Sequence, residues 1–311
     1  MDNPSAELPP FNHLSVDPDK VQRSLASATG DHAYRKFMAA ANRATKNRVF
    51  SCAREGAAFL AAVPKDRERT VDGRIFLNCV RMNLGQPLDG VPLLEHCPHC
   101  NERYAVDREG FHLLAQCIVG NQRISRHNVL VQEWLSFHRH AGYHCTTEDG
   151  AAIRRTLDQS RKKPDISVLN WQQATTLELD VVITDPRRFT TGEARPGRAA
   201  EEVEQKKNTK YKAIIEAPPY RSQFLPLAME TFGRFGEGAR RHFRRLVKEI
   251  ARRGGDPAET SGLANYWKQR LVIGMRRSAM EGLLDRAEGM LPTYVAPLDE
   301  VIRDCDYIRV G

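Results

Sequence analysis

The chain has 311 residues, 41% of them hydrophobic, enough for one large domain and a smaller module. It holds no apolar run of bilayer length, and residues 1–10 lack the apolar region of a signal peptide, so neither a membrane protein nor a secreted one is expected. A net charge of +8 favours a polyanionic partner, nucleic acid above all, and seven cysteines, an odd number, argue against a disulfide framework and for a reducing, intracellular compartment.

Residues 1–95 read as a helical region. Pro18 is suited to a first helical turn, and residues 34–45 are alanine-rich with apolar spacing. Residues 74–84 place Ile75, Phe76, Cys79, Val80 and Met82 on one broad face, with Gly85 as the C-terminal cap.

Residues 96–120 form a short, turn-rich module. Its spacing is Cys97-x2-Cys100-x11-His112-x4-Cys117. Three thiolates and one imidazole make a closed tetrahedral set, the pattern of a structural zinc site, and a module with few large apolar residues needs such a staple. His96 and His99 crowd the first pair, but their adjacency to the cysteines makes them awkward substitutes. Free buried cysteines beside an incidental histidine are the alternative.

The amphipathic stretch 126–140 follows, with Val129, Leu130, Trp134, Leu135 and Phe137 as core candidates and Gly142 closing it. Then the period changes to that of strands. Residues 143–147, 165–169 and 177–184 are β candidates, the last two rich in β-branched residues and separated by a polar turn. Alternation along 177–184 puts Leu177, Leu179, Val181 and Ile183 on one face and Glu178, Asp180 and Val182 on the other. If the strands at 165–169 and 177–184 pair antiparallel, Asp165 and Asp180 converge, and two partly buried carboxylates call for a cation such as Mg²⁺ or Mn²⁺. The charged helix 200–215 carries Lys206, Lys207, Lys210 and Lys212, within reach of a phosphate held there. An aspartate before an apolar strand also serves as a turn residue, and a lysine-rich helix as a solvated face.

A further apolar strand is expected at 224–229, then two helices, 237–253 and 261–284, separated by a break at 254–257. On the first helix Phe243, Leu246, Val247 and Ile250 point inward, while Arg240, Arg241, Arg244, Arg245, Lys248, Arg252 and Arg253 cover the rest. That face either keeps the helix soluble or meets a nucleic-acid backbone without sequence preference. The whole reads as an α/β protein, a mixed sheet core flanked by helices with helical extensions at both ends.

Cys97-Pro98-His99-Cys100, His112, Cys117, Arg126-His127-Asn128, Lys163-Pro164-Asp165 and Leu179-Asp180-Val181 occur in that order. Together they resemble the restriction-like endonuclease region of site-specific non-LTR retrotransposon proteins, a branch of the PD-(D/E)XK superfamily that carries a CCHC zinc knuckle. The resemblance covers roughly residues 51–236. It implies a restriction-endonuclease-like core at 121–236, with Asp165 and Asp180 as metal-binding catalytic carboxylates for Mg²⁺ or Mn²⁺. The superfamily's usual lysine position is Val182 here; the retrotransposon branch instead places lysines on the following helix, which matches Lys207 first and Lys210 second. Arg126, His127 and Asn128 are then expected near the nuclease cleft, on a phosphate, and Glu133 as a supporting acid. The implied activity is nicking of nuclear DNA, with RNA and a reverse transcriptase from another chain or frame as further partners, because no Tyr/Phe-x-Asp-Asp polymerase motif is present. An inactive nucleic-acid-binding or zinc-dependent interaction protein is the alternative.

Overall fold

The computed structural model describes residues 18–100, 105–117, 119–147, 164–172, 175–189, 192–216, 222–253 and 260–288. Lys163, the break at 254–257 and residues 1–17 and 289–311 lie outside the described residues. The chain divides into two units, Met1–Asn42 and Arg43–Gly311. The first contains helix α1 (Pro18–Ala40), opened by Pro18 as the sequence predicts.

The second unit is mixed α/β. Its helices are α2 (Arg43–Cys52), α3 (Gly73–Leu84), α4 (Gln122–His140), α5 (Arg198–Ile215), α6 (Glu237–Arg252) and α7 (Thr260–Ala287). The four strands β1 (His144–Thr147), β2 (Ile166–Leu169), β3 (Thr176–Thr184) and β4 (Ser222–Glu230) lie in that order across one sheet. β1 pairs antiparallel with β2, and β2 with β3 in the register Ile166↔Leu179, Ser167↔Glu178 and Val168↔Leu177. β3 and β4 run parallel over nine residues, which requires a crossover, and α5 supplies it. Among the described residues β4 is the sheet's edge, so Pro226, paired with Asp180, removes no bond needed by an outer neighbour there.

Leu177, Leu179, Val181 and Ile183 are all buried, as the alternation on β3 predicts. The opposite face is closed near its start: Glu178 is buried and accepts a hydrogen bond from the Ser167 hydroxyl, which takes it out of any shared carboxylate cluster. One hydrophobic core joins the sheet to α4, α6, α7 and the cysteine-rich segment, including Leu179, Trp134, Phe243, Leu271, Leu113 and Cys97. Phe137 stacks on Trp267 with ring centroids 4.7 Å apart, so the last helix belongs to the main core.

α3 departs from the expected face. Ile75, Cys79 and Met82 are buried, but Phe76 is exposed and the polar Asn78 takes an inner position. Asn78 is held there by bonding the returning loop: its Oδ1 accepts the Asp89 N–H at 2.7 Å. Gly85 caps the helix in the left-handed region (φ 69°), its N–H reaching the Arg81 and Met82 carbonyls.

Candidate metal centre and carboxylate site

The cysteine-rich segment is held open by local backbone geometry. Leu94 and Val106 form an antiparallel bridge, and the Asp107 carboxylate accepts the N–H groups of Phe111 and His112, each at 2.8 Å. That carboxylate satisfies donors otherwise orphaned at the start of the π-helical turn His112–Gln116. The turn presents His112 toward Cys100, with Cys117 directly after it. The ligand atoms of Cys97, Cys100, His112 and Cys117 all lie within 4.8 Å of one another. Cys97 Sγ is 3.8 Å from Cys117 Sγ, and Cys100 Sγ is 3.5 Å from His112 Nε2. A tetrahedral zinc with Zn–S bonds of about 2.3 Å needs sulfurs roughly 3.8 Å apart. The four residues therefore fit a metal ion such as zinc. Burial opposes ionisation of Cys97, yet the N–H groups of Cys100 and His99 and the thiols of Cys100 and Cys117 hold its thiol below the usual range. His99 is not in the set; its Nε2 donates to the Arg286 carbonyl at 2.8 Å.

Asp165 stands immediately before β2, Asp180 in the middle of β3, and Lys207 two turns into α5. Lys207 Nζ lies 3.1 Å from Asp180 Oδ2 and 3.3 Å from Oδ1. Asp165 Oδ2 accepts the Val181 N–H at 2.6 Å and lies 3.2 Å from His127 Nε2. The same ring nitrogen is 3.0 Å from the Val181 carbonyl, while Nδ1 faces Asn128 Oδ1 at 3.3 Å. Both nitrogens thus face acceptors, the environment of an imidazolium. Burial disfavours that charge, but Asp165, Asn128 and Asp180 lift His127 to about 9. Burial pushes the Asp180 carboxyl up to about 6, against the pull of Lys207 and with the repulsion of Asp165. Lys207 is held above its ordinary value: burial opposes this, and Asp180 and the Tyr211 phenol oxygen outweigh it.

Lys207 is the lysine that reaches the acids. Lys210 is exposed and lies 5.4 Å from the Tyr211 ring centroid, as Lys207 does. Lys206 and Lys212 are exposed. Val182, at the superfamily's lysine position, is half-buried on β3. Among the described residues no other group of three or more His, Cys, Asp or Glu side chains converges as tightly as the cysteine-histidine set.

Several residues expected at a nucleic-acid surface do other work. Arg126 is buried and points its Nη1 at the Leu114 carbonyl, because its helix turn packs on the cysteine-rich segment. Arg240 is buried between Glu55 and Glu237 and also donates to the Phe235 carbonyl at 2.8 Å. Arg245 lies over the Trp171 ring at 4.4 Å. Glu133, expected as a supporting acid, forms a two-pronged ion pair with Arg270 at 2.9 and 3.2 Å. Arg241, Arg244 and Lys248 do remain exposed on α6, one stripe at helical spacing. The N-terminus of α6 is fixed by Glu204 of α5, whose two oxygens accept the Gly238 and Ala239 N–H groups at 3.0 and 3.2 Å. The stripe therefore starts beside the helix turn that precedes Lys207.

Sequence reasoning left His127 without a partner, and nothing in its local pattern names Asp165, 38 residues away. Arg187 was also missed. It forms a buried pair with Asp185 at 2.9 Å and lies against the rings of Phe111 and Phe232, at 4.7 and 5.3 Å. Among the described residues no helix is long and apolar enough to cross a membrane. No family profile matches the chain, and no curated protein matches it in sequence.

Proposed function

We propose that this chain is a metal-dependent DNA endonuclease of the restriction-like type associated with non-LTR retrotransposons, nicking nuclear DNA by phosphodiester hydrolysis. The observation that carries this reading is the meeting of Asp165, Asp180 and Lys207 from three different elements. It matches the two acids and a lysine from the next helix that the motif order implies, with Lys207 in place of a lysine at Val182.

Asp165 and Asp180 would hold a Mg²⁺ or Mn²⁺ ion. Such an ion supplies an activated water and neutralises charge on the phosphate under attack. Val181 N–H and His127 fix Asp165 through its Oδ2, leaving Oδ1 outside those bonds. Lys207 supplies a positive charge beside Asp180, placed to stabilise negative charge building on the phosphate oxygens. Arg241, Arg244 and Lys248 offer a basic flank for the nucleic-acid backbone.

The test is nicking of supercoiled plasmid with Mg²⁺ or Mn²⁺. Asp165→Ala, Asp180→Ala and Lys207→Ala should each lower the rate by roughly 10²–10³-fold or more, the scale of losing one charge-stabilising group. Nicking that survives the aspartate changes refutes the site. A wild-type protein that fails to cut with either ion favours the non-catalytic nucleic-acid-binding reading, to which Val182 gives its one specific support.

A further inference from the structure

The last turn of α7 carries a charge that no carboxylate among the described residues balances. Arg286 is 2% exposed, and among the described residues no carboxylate pairs with it. Its Nη2 donates to Cys117 Sγ, its Nη1 reaches Gln122 Oε1 at 3.4 Å, and its Nε meets no acceptor. A guanidinium that far from water needs an anion, and the group it touches is a sulfur of the cysteine-histidine set. Three thiolates and a divalent ion sum to one net negative charge. Cys97, Cys117 and His112 are each 1% exposed, so that charge too lies out of solvent.

We propose that Arg286 is the counter-ion of the metal centre, and that the centre in turn clamps the end of α7. This rests on the reading of Cys97, Cys100, His112 and Cys117 as zinc ligands. The exchange runs in both directions. The guanidinium compensates the metal–thiolate charge through Cys117. The knuckle bonds the end of the helix, because His99 donates to the Arg286 carbonyl, one of the last-turn acceptors that α7 cannot satisfy internally. Gln122, the first residue of α4, meets the same guanidinium, and Arg123 donates to the Ala115 carbonyl at 2.7 Å. The metal centre thus holds two helix ends together, the end of α7 and the start of α4, as a clasp inside the core and not as a free finger.

Hydrogen bonds to metal ligands from outside the first coordination sphere tune affinity by roughly 10–100-fold. Zinc affinity is measured on the full chain by competition with a chromophoric chelator, for the wild type, Arg286→Met and Arg286→Lys. Arg286→Met keeps much of the side chain's length and loses its charge, and its affinity should fall by roughly 10–100-fold; Arg286→Lys, which keeps the charge, should lose less. A wild type that takes up no zinc overturns the metal reading itself. A wild type that binds zinc, with Arg286→Met binding equally well, overturns only the counter-ion role. Should Arg286→Met fail to fold, hydrogen exchange on the wild type decides. Stripping the zinc should deprotect the amides of the last turns of α7 ahead of its middle, and retained protection there after verified zinc loss overturns the clamp.

Discussion

The candidate metal centre and the carboxylate site sit in one unit but handle charge in opposite ways. At Asp165 and Asp180 the protein brings its own cations: Lys207 against one acid and His127 against the other. At Cys97, Cys100, His112 and Cys117 the ligand atoms crowd within 4.8 Å, and among the described residues Arg286 sets its guanidinium against Cys117. Such a set fits a metal ion at its centre. On the proposed reading one site would take a catalytic ion transiently and the other would keep a structural one.

The largest effect that would break this contrast is removal of a metal ligand. Binding free energies of structural zinc run to about 10–16 kcal/mol and become folding free energy. Cys117→Ser should therefore abolish zinc retention and destabilise the fold, read as a large fall in thermal midpoint. Asp165→Ala should cost only about 1–2 kcal/mol, the scale of the hydrogen bonds it gives up. Equal losses of stability in the two variants would show that both centres are structural and erase the distinction.

The two sites also differed in legibility. The four candidate metal ligands fall within 21 residues at telling intervals, so spacing alone assembled them. The strand carrying Asp180 was visible in the alternation of Leu177, Leu179, Val181 and Ile183, and its antiparallel pairing with β2 followed from a short polar turn. His127 was not visible as a partner of Asp165, because a pairing across 38 residues leaves no local periodic trace. Arginine on α6 misled for a related reason. Helical periodicity sorts apolar from polar faces, but it does not separate a solvated arginine from one buried against a glutamate of a distant segment, and Arg240 with Glu55 is the second kind. Asn78 made the same point on α3, where a polar residue took an inner position because a loop 11 residues on needed its amide.

Arg240 against Arg241 and Arg244 tests that sorting, with effects of intermediate size. Truncating one partner of a buried ion pair leaves the other uncompensated, at a cost of about 3–5 kcal/mol. Arg240→Ala should thus lower unfolding free energy by that order while leaving the salt dependence of DNA binding unchanged. Arg241→Ala with Arg244→Ala should do the reverse, with stability nearly unchanged and the log–log salt slope shallower by about 1 for each phosphate no longer neutralised. Denaturant titration and binding at several salt concentrations measure the two quantities. A flattened slope in Arg240→Ala, in a folded protein, would return that arginine to the nucleic-acid surface.

Glu230 sharpens the contrast between acids that are given a cation and acids that are not. It closes β4, is 1% exposed, accepts the Ala200 N–H at a long 3.4 Å and meets the Ser51 hydroxyl, and among the described residues no lysine stands against it as Lys207 stands against Asp180. Burial pushes its carboxyl up from 4.5 to about 7. Between those values the folded protein keeps a proton that the unfolded chain releases, so the contribution to stability is full below about 4.5 and is lost as pH rises through about 7. The scale is roughly 3 kcal/mol for a shift of this size. Glu230→Gln cannot ionise, so relative to the wild type it should gain stability as pH is raised from about 5 to about 8. Urea denaturation of both proteins at the two pH values measures that difference, and parallel curves would mean that the acid stays charged and that the arginine nearby, Arg234, balances it as Lys207 balances Asp180.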